Sequence, residues 1–257
     1  MTVLVALNFI LLHFLLNLHH TQCPCPTGFV EVATNTCMLV TQMAGSYCNA
    51  HAYCESEGVA RGLRLFVPAK QAGYILQLVP IMSVVFTGLS KTLNRSTNYK
   101  SGWRYTDPGM ASFVTDSSDT SIPWGVGEPN QVYELIADYY LGSMCDTWQF
   151  SSISSHVICQ LSTRPWDTST NPFQMDWPYT MPYMFLQDGG NEGCFESWTV
   201  NSIYDCCNIC KGRRVCRSFY YHKQTAQCWM SLYIDSLLPG NLSVLGGTWF
   251  RLARVNW

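Results

Sequence analysis

The sequence predicts an α+β protein made of two small modules, each held together by disulfide bonds. The chain has 257 residues, which is enough for one large or two modest domains. Its thirteen cysteines fall into two groups, one ending at Cys159 and one starting at Cys194. A proline-rich stretch separates the groups and resists helix formation. We therefore predict a first domain over 23–162, a Pro-rich linker over 163–183 and a second domain over 184–254.

The composition and the N-terminal residues indicate an exported globular protein. Charged residues make up 12% of the chain and the formal net charge is -2, without a basic stripe, so nucleic acid is not an expected partner. Residues 1–22 contain an apolar run shorter than a membrane span. We predict a signal peptide there, with an uncleaved N-terminal anchor as the alternative. Secretion to the extracellular space favours disulfide pairing, and two sequons predict glycosylation at Asn94 and Asn241.

Residue patterns in the first domain predict a hairpin, two helices and then strands separated by long loops. Turn residues between Cys25 and Cys37 predict a short hairpin closed by a disulfide. Apolar spacing and stop signals predict helices over 46–58 and 67–78, the second ending before Pro80. Strands are predicted over 84–89, 102–107 and 157–159.

Residues 124–130, Trp-Gly-Val-Gly-Glu-Pro-Asn, carry the most informative chemistry of the chain. In extended backbone Glu128 and Asn130 point the same way, because side chains repeat every second residue. A carboxylate and an amide on one edge suit a hard cation such as calcium. Pro129 fixes φ between them and favours a cis peptide bond. The alternative is an ordinary surface turn, since these residues are all turn formers.

The order of these motifs resembles the C-type lectin-like domain, as found in secreted invertebrate-type C-type lectins, over about 23–161. Residues 124–130 match the Glu-Pro-Asn sugar and calcium motif of that family, and residues 102–107 match its Gly-x-Trp-x-Trp-x-Asp strand. The resemblance implies two helices, two small antiparallel sheets and a long loop. The other matches are Cys25-Pro26-Thr27-Gly28-Phe29 with Cys37, Cys54 with Gly58 and Leu63, Phe86-Thr87-Gly88-Leu89, and Val157-Ile158-Cys159.

The resemblance implies a calcium ion in the long loop that coordinates two sugar hydroxyls, with a preference for mannose-type sugars. It implies sugar contacts from Glu128, Asn130 and Glu134, and calcium ligands from these three residues and Asp146. The Trp-Asn-Asp motif of the family, which completes the calcium shell, is matched only by residues 148–150, Trp-Gln-Phe, and Phe offers no oxygen. The site is therefore expected to be weak, rebuilt with Asp146, or vestigial.

The resemblance also implies the cysteine pairing of the first domain. The family closes the long loop with two cysteines, of which only Cys145 has a counterpart here. An extra cysteine on the first helix, Cys48, is its expected partner. Because the total is odd, Cys23 is left to form an inter-chain bond or to be removed with the signal peptide. The implied pairs are Cys25–Cys37, Cys54–Cys159 and Cys48–Cys145.

The cysteines of the second domain have the spacing of a helix that is stapled to a following hairpin. Cys206 and Cys210 are four residues apart and so share one helix face. The pattern resembles the PAN/apple domain, a small disulfide-rich α+β domain, over about 184–252. The matching residues are Cys206, Cys210, Cys216, Phe219, Tyr221 and Cys228. The implied pairs are Cys206–Cys228, Cys210–Cys216 and Cys194–Cys207.

Two alternatives concern short motifs of the second domain. Cys207 and Cys210 have the Cys-x2-Cys spacing of redox and zinc sites, although disulfides are commoner in a secreted chain. The basic run 211–214 is either a polyanion patch or a solvated helix end, where cations are favoured.

The sequence favours a secreted carbohydrate-binding lectin that is calcium-dependent and prefers mannose-type sugars, with glycans or glycoproteins as partners. The alternative is a calcium-independent adhesion or recognition protein, with protein ligands bound through the PAN/apple domain. Two ligand modules and an unpaired Cys23 suggest a disulfide-linked or multivalent oligomer. No enzyme is expected, because the sequence has no nucleophile elbow, zinc-protease motif or phosphate loop.

Overall fold

The computed structural model describes residues 25–93, 96–151, 153–169, 172–187 and 192–257. The predicted signal peptide over 1–22, Cys23 and the sequon residue Asn94 lie outside these ranges. The helices are α1 (Tyr47–Arg61) and α2 (Ile203–Gly212), with 3-10 helices at Ala72–Gln77 and Gly240–Leu245. The strands are β1 (Val30–Ala33), β2 (Thr36–Gly45), β3 (Leu65–Phe66), β4 (Val85–Ser90), β5 (Arg104–Tyr105), β6 (Ile136–Tyr140), β7 (Ser143–Thr147), β8 (Ser154–Leu161), β9 (Phe173–Met175), β10 (Phe195–Thr199), β11 (Cys216–His222), β12 (Gln227–Leu232) and β13 (Trp249–Arg254). Within the described ranges no helix is long and apolar enough to cross a membrane.

The first module, residues 25–161, has one long helix and two small antiparallel sheets. One sheet has the strand order β1-β2-β8-β3 and the other has the order β5-β4-β6-β7. Helix α1 begins after Ser46, whose hydroxyl accepts the main-chain N–H of Asn49 at 3.3 Å, and ends at Gly62, which takes a left-handed conformation with φ of 66°. Cys54 on α1 is bonded to Cys159 on β8, which ties the helix to the sheet. The predicted α+β fold class is confirmed.

The second helix of the first module is shorter than the sequence predicts. The prediction was a helix over 67–78, but only the 3-10 helix Ala72–Gln77 forms. The start of the segment bonds to a neighbouring loop instead, because the carboxylate of Asp107 accepts the main-chain N–H groups of Ala69 and Lys70, each at 3.1 Å. A regular helix through Ala69 and Lys70 would break these two hydrogen bonds.

The strand predicted over 102–107 is also shortened, to Arg104–Tyr105. The chain before it pairs with a loop, since the N–H of Gly102 donates to Thr115 at 2.9 Å and the carbonyl of Trp103 accepts from Thr115 at 3.0 Å. Trp103 is completely buried beneath this loop. Trp103, a large residue of the alternating pattern, is therefore buried against this loop and is not part of the strand.

The second module, residues 173–257, is a five-stranded antiparallel sheet with α2 packed against it. The strand order is β10-β12-β11-β13-β9, and α2 contacts β11 and β12. Helix α2 begins after Ser202, whose hydroxyl accepts the N–H of Asp205 at 3.2 Å. The two buried cysteines of α2 form the predicted staple, Cys206–Cys228 to β12 and Cys210–Cys216 to β11.

The proline-rich segment predicted as a linker over 163–183 contributes a strand to the second module. Its residues Phe173–Met175 form β9, which pairs with β13 at the edge of the sheet. The described residues of the segment contain no helix, as its prolines predict, and β9 contains no proline. Extended backbone with unpaired main-chain groups can add to an open sheet edge, which is what β9 does. The segment is therefore an integral part of the second module.

Four of the six expected disulfides are present, and one unexpected bridge replaces the other two. Cys48 is bonded to Cys194, so the expected pairs Cys48–Cys145 and Cys194–Cys207 are wrong. Cys145 on β7 and Cys207 on α2 have free thiols in the described structure. Each resemblance covers one module at a time, so neither could suggest a bond between modules. The expected pairs that form are Cys25–Cys37, Cys54–Cys159, Cys206–Cys228 and Cys210–Cys216.

The two modules share one hydrophobic core. A single cluster of buried side chains includes Phe86 of the first module and Phe219 of the second. Polar contacts also join the modules, since Glu55 of α1 accepts hydrogen bonds from the guanidinium of Arg213 and from the hydroxyl of Tyr233. A smaller cluster also joins the modules. Its buried members are Leu93, Leu135, Leu186 and Leu237.

Candidate functional site

Residues 124–130 form a turn that presents Glu128 and Asn130 side by side. The N–H of Glu128 donates to the carbonyl of Gly125 at 3.0 Å, and the peptide bond between Glu128 and Pro129 is cis, as the sequence predicts. The side-chain amide of Asn130 donates to Glu128 Oε1 at 2.8 Å. The two side chains therefore share one edge of the turn, as their spacing predicts.

Asp146 fastens this turn to the sheet. It lies on β7, and its two carboxylate oxygens accept the main-chain N–H groups of Asn130 and Gln131, each at 3.0 Å. Asp146 is almost fully buried, and β7 is held in register by antiparallel pairing with β6. The carboxylate of Asp146 also acts on Glu128 and raises its pKa. The structure thus brings Glu128, Asn130 and Asp146 together.

Negative charge accumulates in this site and changes the acidity of two glutamates. Burial, followed by the hydrogen bond and charge of Asp146, raises the pKa of Glu128 to about 7. Burial, followed by the charges of Asp146 and Glu128, raises the pKa of Glu134 to about 7. Glu134, the fourth predicted site residue, therefore interacts electrostatically with the same carboxylates. An added cation would stabilise all three carboxylates in their charged form.

Lys91 is a site residue that the sequence analysis missed. It follows β4, it is almost completely buried, and its ammonium donates to the main-chain oxygen of Gln131 at 3.3 Å. Burial lowers the pKa of Lys91, and the charges of Asp146 and Glu134 oppose that shift. Its ammonium also stands over the Trp103 ring at 5.2 Å from the centroid. A lone lysine after a strand gave no signal in the sequence.

Cys145 stands beside Asp146 on β7 and has a free thiol. Burial, followed by the charges of Glu128, Asp138, Asp146 and Glu134, raises its pKa to about 11. The thiol is therefore protonated at neutral pH and is a poor ligand for a hard cation.

The placement of the Trp-Asn-Asp counterpart at residues 148–150 was wrong. The side chain of Gln149 faces the second module, where its amide oxygen accepts the N–H groups of Glu192 and Gly193 at 3.1 and 2.9 Å. Its amide nitrogen donates to the carbonyl of Gly193 and to the Cys48 sulfur. The strand segment that faces the Glu-Pro-Asn turn is Met144-Cys145-Asp146, four residues earlier. This segment offers the carboxylate of Asp146 beside the thiol of Cys145.

The side chains at the site carry the oxygen donors that calcium prefers, but the acidic ones are not grouped closely enough in the described structure to hold the ion. Glu128, Asn130, Glu134 and Asp146 offer only oxygen atoms, and Glu128 Oε2 is buried without a hydrogen-bond partner in the described structure. Within the described ranges, however, no three acidic, histidine or cysteine side chains are grouped closely enough to hold a metal ion. The residues can therefore supply ligands, while Lys91 already supplies a cation beside them.

A match to a known protein family lies in the second module. Residues 190–241 match the family model described as PAN domain. This confirms the resemblance predicted for that part of the chain. No protein with a curated description matches the chain.

Solved structures of C-type lectin domains match the first part of the chain, with low identity. The C-type lectin CEL-I from Cucumaria echinata matches with 16% identity and a TM-score of 0.38, over 55% of this chain and 99% of its own. The C-type lectin domain of murine dendritic cell inhibitory receptor 2, in complex with N-glycan, matches with 20% identity and a TM-score of 0.38, over 55% and 100%. A calcium-independent type II antifreeze protein matches with 19% identity and a TM-score of 0.37, over 55% and 96%.

Proposed function

We propose that the protein is a secreted carbohydrate-binding lectin. A calcium ion is bound by Glu128, Asn130, Glu134 and Asp146, and a mannose-type sugar contacts the first three of these residues. The observation that carries the proposal is the pair of hydrogen bonds that the main-chain N–H groups of Asn130 and Gln131 donate to the carboxylate of Asp146. These bonds place a third carboxylate next to Glu128 and Asn130. They also set the orientation of the turn before any ligand binds, which reduces the entropy lost on binding.

Each side chain has a distinct part in this proposal. A calcium ion would supply the Lewis acid that coordinates vicinal sugar hydroxyls. Glu128 would accept a hydrogen bond from a hydroxyl, and the amide of Asn130 would donate one, in exchange for the 2.8 Å bond that now joins these two side chains. Tyr133 is half exposed beside Glu134 and stacks with Trp148 at 6.4 Å between centroids. Its ring is therefore available to pack on the sugar.

Glu128→Gln is expected to weaken binding to immobilised mannose by tenfold to about a hundredfold, because a charged hydrogen bond and a calcium ligand are lost together. Elution of the wild-type protein by EDTA measures the calcium requirement. Glu31→Gln is the matched control, since Glu31 is an exposed carboxylate on β1 in the other sheet. Retention that is unchanged by both EDTA and Glu128→Gln would reject the proposed function.

The second candidate is a calcium-independent protein-binding module, and Lys91 is the observation that favours it. A buried ammonium beside Asp146 and Glu134 already balances part of the charge that calcium would balance. The thiol of Cys145 also replaces an oxygen donor on β7. In this candidate the turn is held by fixed internal contacts, and a protein ligand binds its exposed edge.

Lys91→Met distinguishes the two candidates, because methionine keeps most of the buried volume and removes the charge. For a calcium site, loss of this cation is expected to raise calcium affinity by about tenfold. Titration with calcium chloride by calorimetry, for wild type and variant, measures the change. If neither protein gives a calcium signal, the calcium-independent candidate is supported.

The proposed location and partners rest on the cysteines and on the exposed surface. Five disulfides are expected to form only in an oxidising compartment, which supports secretion. Asn241 is exposed and is accessible to glycosylation. We infer glycans or glycoproteins as ligands of the first module and protein ligands for the PAN domain. An inter-chain bond through Cys23 would make the protein multivalent and raise its avidity.

A further inference from the structure

A cavity of about 500 Å³ opens where the first module, the proline-rich segment and the end of the second module meet. It is separate from the residues of the Glu-Pro-Asn turn, none of which line it. A cavity of this size can hold a small organic ligand. The residues that carry the argument are Arg64, Arg164, Trp166, Asp167 and Trp257.

Arginine and tryptophan side chains stack at the wall of the cavity. The Arg64 guanidinium lies 4.1 Å from the centroid of Trp166 and 5.0 Å from that of Trp257, and all three residues line the cavity. Two arginines outside the lining also lie over these rings, Arg217 at 4.2 Å from Trp257 and Arg214 at 5.7 Å from Trp166. Stacking fixes the planes of these guanidinium groups before any ligand arrives.

The positive charge of this stack is only partly balanced. Arg64 is more than nine-tenths buried, its Nε has no hydrogen-bond partner in the described structure, and its Nη1 donates to a carbonyl, that of Pro165, at 2.7 Å. The Nε and Nη1 atoms of buried Arg217 also have no partner there. Ion pairs among the described residues include neither of these arginines nor Arg164. Arg217 is offset by the charge of Asp235, and Arg164 is exposed to solvent, so Arg64 is the buried guanidinium beside the cavity with an unsatisfied donor.

Asp167 is the one acidic side chain among the residues that line the cavity, and its oxygens already accept hydrogen bonds. Asp167 accepts the N–H and the hydroxyl of Ser169 at 2.9 and 3.0 Å. Its charge favours the protonated form of Arg64, but burial and the charge of Arg254 outweigh it and lower the pKa of Arg64 to about 10. Arg64 thus stays charged at neutral pH, and its buried Nε has no hydrogen-bond partner in the described structure. An anion that entered the cavity would lower this electrostatic cost.

We propose that this cavity binds a sulfate group, held by Arg64 and Arg164 against the Trp166 ring. Planar guanidinium groups bind tetrahedral oxyanions through paired N–H donors, which gives both charge and geometry. The group could belong to inorganic sulfate or to a sulfated sugar. The cavity is larger than a single anion, and the half-buried indole of Trp166 offers a face for a sugar ring. This site does not depend on the calcium site proposed above.

Arg164→Gln is the test, because Arg164 is exposed and its loss is not expected to disturb folding. Calorimetric titrations use sodium sulfate, a sulfated disaccharide and the same disaccharide without sulfate, at constant ionic strength. We expect Arg164→Gln to bind the sulfated ligand at least tenfold more weakly than wild type, with or without EDTA. Arg61→Gln is the matched control, since Arg61 is an exposed arginine that pairs with Glu57 outside the cavity. It is expected to bind as wild type does.

The outcomes separate the two sources of sulfate and can reject the site. Equal affinities for sodium sulfate and the sulfated disaccharide support a site for the free anion. Tighter binding of the sulfated disaccharide, with none of the unsulfated one, supports a sulfated glycan. The proposal is wrong if neither sodium sulfate nor the sulfated disaccharide binds wild type at millimolar concentration. It is also wrong if Arg164→Gln and Arg61→Gln bind the sulfated disaccharide equally well.

Discussion

Asp235→Asn is expected to lower the free energy of unfolding by about 3–5 kcal/mol, the usual cost of removing one partner from a buried ion pair. Both oxygens of Asp235 accept hydrogen bonds from Arg251 Nη2, at 2.7 and 2.6 Å, and Oδ1 also accepts from the hydroxyl of Ser218 at 2.7 Å. The side chains of the pair are 3% and 4% exposed. Asparagine keeps the shape of the side chain and removes its charge.

The effect is large because Asp235 serves more than one arginine. Its charge also stabilises the charged forms of Arg217 and Arg104, the second of which comes from the first module. Without this carboxylate, three guanidinium groups remain buried near each other with no common counter-charge. Urea unfolding at pH 7 measures the loss, and Asp116→Asn on an exposed loop is the control. A change below about 1 kcal/mol would mean that water or rearrangement replaces the carboxylate.

The same pair predicts how stability depends on pH. Burial alone would raise the pKa of Asp235, but the charge and hydrogen bonds of Arg251 outweigh it and lower the pKa below its ordinary value. A lowered pKa in the folded state contributes stability above the unfolded pKa of about 4, and this contribution is lost as the pH falls through the folded value. Wild type is therefore expected to lose stability below about pH 4 more steeply than Asp235→Asn.

The sequence predicted those features that depend on short, local spacing. Cys206 and Cys210 share one turn of helix and fit a following hairpin, so the staple of the second module could be predicted without knowledge of the rest of the chain. Glu128 and Asn130 are likewise two residues apart, and their side chains do lie together, although in a turn with a cis Glu128–Pro129 bond and not in extended backbone.

Spacing along the chain does not predict a residue's role when that role depends on a distant partner. Gln149 lies in the segment matched to the Trp-Asn-Asp motif, but its side chain bonds to a loop more than forty residues later. Lys91 enters the site through the register of β4 beside β6, which spacing along the chain does not reveal. The resemblance implied Cys145 as the partner of Cys48, but its actual partner, Cys194, lies in the other module. These contacts depend on how the modules pack together.

Removal of the bridge between the modules, by Cys48→Ala with Cys194→Ala, is expected to lower the free energy of unfolding by about 4 kcal/mol. The two cysteines are 146 residues apart, but the Cys54–Cys159 bridge shortens the loop that they close to about 40 residues. Chain-entropy estimates for a loop of that length give about 4 kcal/mol. Denaturant unfolding of the oxidised proteins measures the difference. The single variant Cys207→Ala is the control, because Cys207 is a free thiol.

The bridge is also expected to affect the proposed ligand site. Gln149 bonds to Gly193, next to Cys194, and lies three residues beyond Asp146 on the same segment. Without the bridge, this contact and the end of β7 lose a covalent support, so the hold of Asp146 on the turn is expected to loosen. Amide hydrogen exchange at Asn130 and Gln131 reports those hydrogen bonds directly and should accelerate in the double variant. If exchange there stays as slow as in Cys207→Ala, β6 alone positions Asp146, and the second module has no part in shaping the site.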